Sequence, residues 1–589
     1  VEGARRAERP PAPPLVAGVR LAGGDPLSFA QQRLWFLDQL VPHNPFYNVP
    51  AAFRLRGGLR PEALARALEE VVARHEVLRS RIETSDGRPR QVVGEVPGGL
   101  LAVDDFRSLP AEEGEARARA VVEADAARPF DLAAGPLLRA RLVRLDDDQW
   151  VLALTLHHVV ADGWSMGVLM RELGAGYTAA CAGVPSPLAP LPVQYADYAA
   201  WQRAWLQGEV LETQLGYWRA RLAGLQPLEL PTDRPRPPLQ SFAGAAWSFT
   251  IPAPLTQALR DLGRAHGATL YMTLLAALAA LLHRYSGQAD IAIGSPIAGR
   301  TRPQTEDLIG FFVNILVLRT DCSGDPSFAQ LLGRVRETAL DAYAHQDLPF
   351  EQLVEELHPQ RDLSRHPLIQ VKLQLIDTSA WRPDLPGVSV EPMPLHNVMT
   401  RLDLELDIIE TRDTLSARLV GRADLFDEGG VARLAGHLET LLRVVAADPH
   451  RRLSAVPLVE GAERDQLLVA WNDTDVARPE TTVVERFEAQ VAATPDATAV
   501  VCGPSRLSYR DLNEEANRLA HHLGALGVGP EVVVGLCLER GVELIVALVG
   551  ILKAGGAYLP LDPDYPAHRL ASMVDDAAVA VLVTDTHLA

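Results

Sequence analysis

Cysteine is scarce in this chain: four in 589 residues, Cys181, Cys322, Cys502 and Cys537, with no CxxC pair among them. That rules out a disulfide-stapled scaffold and offers no zinc-type spacing, so no metal is expected and a reducing cytoplasm is the expected compartment. Positive charge is in deficit, with 56 Lys and Arg against 75 Asp and Glu and a formal charge of -19. A surface of that sign does not hold polyanions, so nucleic acid is not an expected partner. Long apolar runs are missing too. The longest uncharged one, LYMTLLAALAALL from Leu270 to Leu282, falls short of the roughly 20 residues that cross a bilayer and reads as a buried helix, with no membrane association expected. The opening VEGARRAERPPAPPL has no initiator Met and no apolar signal core. Its composition suits a linker, and the chain is expected to have been cut from something larger.

What is present fits a large globular protein: 48% hydrophobic and 22% charged residues, enough chain for two to four cores of ordinary size. The segment RPEALARALEEVVARHEVLRSRI starts with Pro61, favoured at a first helical position, and sets Leu64, Leu68, Val71 and Val72 on one face, which predicts an amphipathic helix. DDQWVLALTLHHV reads as a polar turn and then a buried strand from about Trp150 to Leu156. SMGVLMRELGAGY reads as a helix with Ser165 as N-cap. A second α/β block follows, with a helix after Thr269 that ends near Gly287, the broken run DIAIGSPIAGR, the strand GFFVNILVLR, and an end near residue 455. Beyond it, EVVVGLCLE, ELIVALVGILKAGG, AYLPLDPDYP and AVAVLVTD alternate strand and helix patterns, the opening of a doubly wound α/β domain. No internal repeat is evident.

The chemistry concentrates where the first buried strand ends, at LTLHHVVADGWSMG. A histidine titrates near neutral pH, so one held at a strand-to-helix turn can accept or donate a proton. Neighbouring side chains on an extended backbone point to opposite sides, so His157 and His158 cannot both face one pocket. One packs and the other faces the chemistry, Asp162 folds back or pairs elsewhere, and Gly163 allows a tight bend before the helix. Taken alone, such a histidine is a satisfied core or surface residue, and nothing nearby completes a metal ligand set.

The stretch HHVVADG resembles the HHxxxDG signature of the condensation domains of nonribosomal peptide synthetases. Six further segments resemble that family's motifs in the same order: LSFAQQRLWFLDQL from Leu27, RHEVLRS from Arg74, QYADYAAWQ from Gln194, IGSPIAGR from Ile293, GFFVN from Gly310 and AHQDLPFEQLV from Ala344. LSYRDLNEEANRLAHHL from Leu507 and LKAGGAYLPLDPDYP from Leu552 resemble the start of an adenylation domain. The Gly/Ser/Thr-rich phosphate loop that should follow is not in the sequence, so this part is expected to activate no substrate.

The resemblance implies an α/β fold of two chloramphenicol-acetyltransferase-like lobes in a V, with a tunnel between them, plus the start of a doubly wound adenylation subdomain. It implies amide formation: the amine of an acceptor aminoacyl thioester attacks a donor acyl or peptidyl thioester. The partners would be upstream donor and downstream acceptor carrier domains. They would supply the phosphopantetheine arms, and the chain itself would bind no cofactor. The implied boundaries are a linker at 1–24 following a carrier domain, lobes at 25–195 and 196–455, a linker at 456–480, and a truncated adenylation subdomain at 481–589. His158 falls on the motif's second histidine and is the expected catalytic residue, either a general base or a group that positions the amine. His157, Asp162 and Gly163 are expected to support the site, with Asp162 paired to Arg300 of IAGR. Trp164 and Ser165 are candidates for the substrate tunnel, against plainer readings as core packing and a helix cap. Arg33 and Trp35 read as structural.

Rival readings differ in class. A non-catalytic docking platform for carriers or a tailoring enzyme is disfavoured by the complete motif. An epimerization-type relative is disfavoured by the adenylation segment that follows, and a heterocyclization domain by the two intact histidines. A free acyltransferase using acetyl-coenzyme A would explain the heptad but not the ordered motifs. LAGGDPLS superficially resembles a carrier's modification site, but Pro26 stands where the serine should be.

Overall fold

The computed structural model describes residues 12–588 apart from 19, 22, 43, 86, 358–361, 363, 379, 396–398 and 479. The chain forms two compact units, Val1–Leu467 and Leu468–Ala589. The first contains two large apolar cores, each built on its own sheet, and a smaller cluster on the other face of the first sheet.

In the first sheet the strands run, edge to edge, Val388–Pro392, Asn48–Gly57, Gln149–His157, Leu138–Arg144 and Leu101–Asp105, antiparallel except for the last pair. Gln149–His157 lies in the middle and is covered on both faces, by the helices Pro61–Arg74 and Gly163–Ala182 on one side and Ala111–Ala127 on the other. A strand buried on both faces reads as an unbroken apolar run, as WVLALTL does, and not as an alternating one. Leu64, Leu68, Val71 and Val72 all sit in the core, as their helical spacing predicts. Each such side chain adds about 1.5–3 kcal/mol of burial.

The second sheet runs Asn314–Asp321, Asp290–Ile297, Val371–Asp377, Leu404–Glu410, Leu415–Arg422 and Gly244–Ile251. The predicted helix is Leu270–Ser286, capped by the Thr269 hydroxyl, which accepts from the Met272 N–H, and ended by Gly287 in the left-handed region at φ 72°. Its apolar residues are buried on all sides. No single described helix is long and apolar enough to cross a membrane, and the one pair that passes together is bent by 100°.

The first core also draws in residues from beyond 195. Tyr195, Tyr198, Leu308, Ile309, Phe312 and Leu385 all join the first core. Val388–Pro392 leaves the second half altogether to add an edge strand beside Asn48–Gly57. The crossing segment lies against the helix Gly163–Ala182, where a Cβ on Gly174 would come within 2.8 Å of the Asp384 carbonyl oxygen.

The second unit contains the helices Val483–Ala493, Tyr509–Ala525 and Val542–Lys553, and a parallel sheet of Ala557–Pro560, Val533–Cys537 and Val581–Thr584 in that spatial order. Leu523, Val528, Val534, Leu536, Ala547 and Ile551 form its core. This is the strand-helix alternation expected of a doubly wound start.

Candidate functional site

The strand Gln149–His157 delivers the two histidines to opposite environments. His157 is still in the ladder, opposite Asn48, and only 2% exposed. Its Nδ1 accepts a hydrogen bond from the Val159 N–H at 3.1 Å, which puts the ring proton on Nε2. The rings of Tyr47 and Phe130 flank it. Burial, reinforced by the electrostatic coupling to His158 and by the positive charge of Arg139, pushes its pKa down to about 3. A neutral ring is therefore part of the packing.

His158 has just left the sheet, its N–H donating to the Tyr47 carbonyl at 2.7 Å. Its ring meets Phe311 edge-on at 4.8 Å. Nδ1 is buried without a well-aligned partner. Burial lowers its pKa, and Lys372 adds to that, while Asp162 and the nearby backbone of Ala161 act the other way. The ring is thus held neutral, able to accept a proton.

Asp162 is fully buried and caps the helix Gly163–Ala182 from an extended backbone, φ -128° and ψ -177°. Its Oδ1 accepts from the Ser165 N–H and hydroxyl, both at 2.8 Å, and from Arg300 Nη2 at 3.1 Å. Its Oδ2 accepts from the Phe312 N–H at 3.0 Å. The Arg300 side chain, 2% exposed, also donates to the carbonyls of Thr305 and Leu308 and stacks on Phe312 at 4.0 Å. A buried ion pair stabilises little beyond its own desolvation, yet losing one partner costs about 3–5 kcal/mol because the other charge is stranded.

Gly163 does not make the bend. Its φ is not in the left-handed region, and Asp162 carries the change of direction as the extended cap. The small residue matters because Trp381 of the crossing segment comes within 3.3 Å of where a Cβ would sit. The backbone of IAGR does need a glycine, at Gly299, with φ 66° and the Phe312 carbonyl in the way of any Cβ.

Ser165, read as an N-cap, is the third residue of the helix, and Asp162 is the cap. Its hydroxyl lies 2.8 Å from both Asp162 Oδ1 and the Gly310 carbonyl, and accepts from the Gly310 N–H and Arg300 Nη2. All its hydrogen-bonding capacity is spent inside this knot, none toward a substrate. Trp164 is 49% exposed, with its indole N–H on the Glu306 carbonyl at 2.9 Å.

The other motifs converge on the same turn. Gln31 donates to the Val159 carbonyl at 3.1 Å. The Tyr195 hydroxyl donates to the Phe311 carbonyl at 2.6 Å and accepts from Ser28 at 2.8 Å. His75 links Glu172, at 2.8 Å, to the Ile309 N–H. Burial raises the Glu172 pKa, but its bonds to His75 and Arg74 outweigh that and leave it lowered. The Asn314 amide donates to the carbonyls of Gln346 and Leu348 and accepts from the Phe350 N–H, tying GFFVN to AHQDLPF. Arg33 pairs with Glu351 at 2.7 Å, and Trp35 packs on the first core.

Sequence reasoning missed Lys372. It stands on the strand Val371–Asp377, its ammonium 2.7 Å from Glu405 and 3.0 Å from Asp407, and those carboxylates raise its pKa against the effect of burial. A lone lysine in VKLQL carries no motif, and its partners lie more than thirty residues away on the neighbouring strand. A cleft lined by Ser28, Tyr198, Trp201, Trp205 and Asn314 leads to Phe311, and His158 lies against that ring. The larger cavity, about 630 Å³, opens between the outer face of Gly163–Ala182 and residues 380–384, and neither histidine lines it. Among the described residues no group of His, Cys, Asp and Glu is arranged to hold a metal ion.

Residues 23–468 match the family model described as a condensation domain, and residues 487–589 that of an AMP-binding enzyme. A linear gramicidin synthase polypeptide of Brevibacillus parabrevis is 49% identical over 96% of the chain, which spans 7% of that protein. Among solved structures, a four-domain nonribosomal peptide synthetase bound to AMP and glycine aligns over 96% of this chain and 43% of its own, with TM-score 0.83 and 25% identity. The X-domain from teicoplanin biosynthesis, in complex with OxyB, aligns over 76% and 99%, with TM-score 0.69 and 33% identity.

Proposed function

Since the chain belongs to the condensation-domain family of nonribosomal peptide synthetases, with the beginning of an adenylation domain behind it, we propose that it forms amide bonds between two carrier-tethered substrates. The observation that carries this reading is His158: a neutral imidazole whose buried Nδ1 has no well-aligned partner, just past the end of a strand and against the ring of Phe311, which lines a cleft. The acceptor amine must lose a proton as it attacks the donor thioester carbon. The carbon–nitrogen bond forms, the carbon–sulfur bond breaks, and the donor arm leaves as a thiol. A neutral His158 can take that proton, or can hold the amine by a hydrogen bond. Proton transfer contributes roughly 10²–10⁴-fold, and orientation alone supplies effective molarities of about 10⁵–10⁸ M, so either role suffices.

The phosphopantetheine arms belong to the substrates and come with the donor and acceptor carriers. The division into 25–195, 196–455 and 481–589, and a cytoplasmic location, go with this reading. Residues 487–589 are assigned no activation of an amino acid. Two loaded carriers plus this chain should yield the amide on the acceptor arm, read by intact mass. His158→Ala should lower the rate by two or more orders of magnitude with an unchanged melting curve. Equal product from both proteins would sink the catalytic reading.

The likeness to an X-domain bound to OxyB supports a second reading, a docking platform without catalysis. It requires that the wild-type chain give no amide at all.

A further inference from the structure

Arg401 lies just before the strand Leu404–Glu410. Its guanidinium is 4.2 Å from the ring centre of Phe46 and 3.6 Å from that of Tyr47. Tyr47 is the residue whose carbonyl accepts the His158 N–H, so this cation belongs to the wall beside the motif turn. Burial holds its pKa well below the usual arginine range, with the charge of Arg33 acting in the same sense and Glu405 opposing. It nonetheless keeps partial solvent access, as do His158, Lys372 and Glu405.

The neighbouring cations are matched: Arg33 by Glu351, and Lys372 by Glu405 and Asp407. Arg401 is not. Among the described residues no carboxylate or carbonyl accepts a hydrogen bond from its guanidinium. Glu405, the acid whose charge reaches it, is committed to Lys372, to the Thr400 hydroxyl at 2.7 Å and to the Arg401 backbone N–H at 3.1 Å. The guanidinium lies over both rings, which stand at 77° to each other, a cation–π contact that uses none of its N–H groups. A planar fork held against two rings, with no protein acceptor on its N–H groups among the described residues, can take a carboxylate in two parallel hydrogen bonds.

We infer that Arg401 is a specificity residue that receives a carboxylate carried on the acyl or aminoacyl group of a pantetheine-bound substrate. This rests on the reading that the chain accepts pantetheine thioesters, and the test is equilibrium binding, which does not require amide formation. Calorimetry on the full chain compares glutaryl-pantetheine with its terminal-amide counterpart as donor-like probes, and glutamyl-pantetheine with glutaminyl-pantetheine as acceptor-like probes. None carries a phosphate, so only the acyl groups differ within a pair.

In one pair the carboxylate should bind roughly ten- to hundredfold more tightly, the worth of a charge-assisted pair, and that pair identifies the donor or acceptor side. Arg401→Met should bring the ratio to one or below, and Arg401→Lys should restore part of it. Equal affinities within both pairs of the wild type, or no binding of either carboxylate probe, overturns the inference and leaves Arg401 as a stacking support. Should Arg401→Met lose its cooperative melt, the wild-type ratio and its fall in Arg401→Lys still decide. A chain with the carboxylate preference but no amide product sinks the catalytic reading alone. A chain that makes amide without the preference sinks this one alone.

Discussion

Two neighbouring regions of the molecule treat polar groups in opposite ways. In the knot of Asp162, Ser165 and Arg300, both carboxylate oxygens, the serine hydroxyl and both terminal guanidinium nitrogens are matched, and only Arg300 Nε lacks a partner. His158 Nδ1, four residues before Asp162, is not matched, and among the described residues the Arg401 guanidinium has no hydrogen-bond acceptor, only the Phe46 and Tyr47 rings. A saturated network fixes a backbone, and unsatisfied groups held rigidly by such a network are what a substrate can use. The proposed roles follow the same division, saturated motif residues building the site and the unsaturated His158 facing the substrate.

The strongest way to break the comparison is to unsaturate the knot. Asp162→Ala strands Arg300 and removes the helix cap, and should cost about 3–5 kcal/mol together with activity, read by denaturant titration. A loss of activity at unchanged stability would move Asp162 to the substrate-facing side.

Acid should act next, through His157 and His366, whose pKa values are both pushed down to about 3 by burial. The unfolded chain binds those protons near pH 6.5 and the folded chain does not, so stability is complete above about pH 6.5 and falls as pH drops toward 3, by a few kcal/mol for each ring. His157→Asn, which can still accept from the Val159 N–H, should flatten that slope in melting curves recorded across the window. An unchanged slope would remove His157 from the account.

The smallest effect belongs to Trp164. Half exposed, with a single hydrogen bond, it should lose no more than about 1 kcal/mol on substitution by alanine. A larger change in turnover than in stability would restore it to the substrate path.

Local features were legible in the sequence: the buried strand ending in the histidines, the helix Pro61–Arg74, the capped helix from Thr269, and the alternation of the second unit. The two histidines divide as backbone geometry requires, since one must face inward when the other does not. The Asp162–Arg300 pairing came from resemblance, because 138 residues separate the two and spacing says nothing over that distance. Two local readings were corrected, the cap from Ser165 to Asp162 and the role of Gly163, since a cap is decided by backbone angles that composition does not carry. Lys372 and Arg401 were invisible for a related reason: what marks them is the presence or lack of partners brought from other strands.

The edge strand Val388–Pro392 has a consequence for synthesis. Its partner Asn48–Gly57 leaves the ribosome roughly 330 residues earlier, which at 5–20 residues per second is about 15–70 s. Once the central strand Gln149–His157 has followed, the first sheet can fold around it, but for the rest of that interval it carries an open edge, with unpaired backbone groups along residues 48–57. The nascent chain must keep that edge from other strands until its own late segment arrives, so the aggregation risk at this edge is greatest between the synthesis of Gln149–His157 and that of Val388–Pro392.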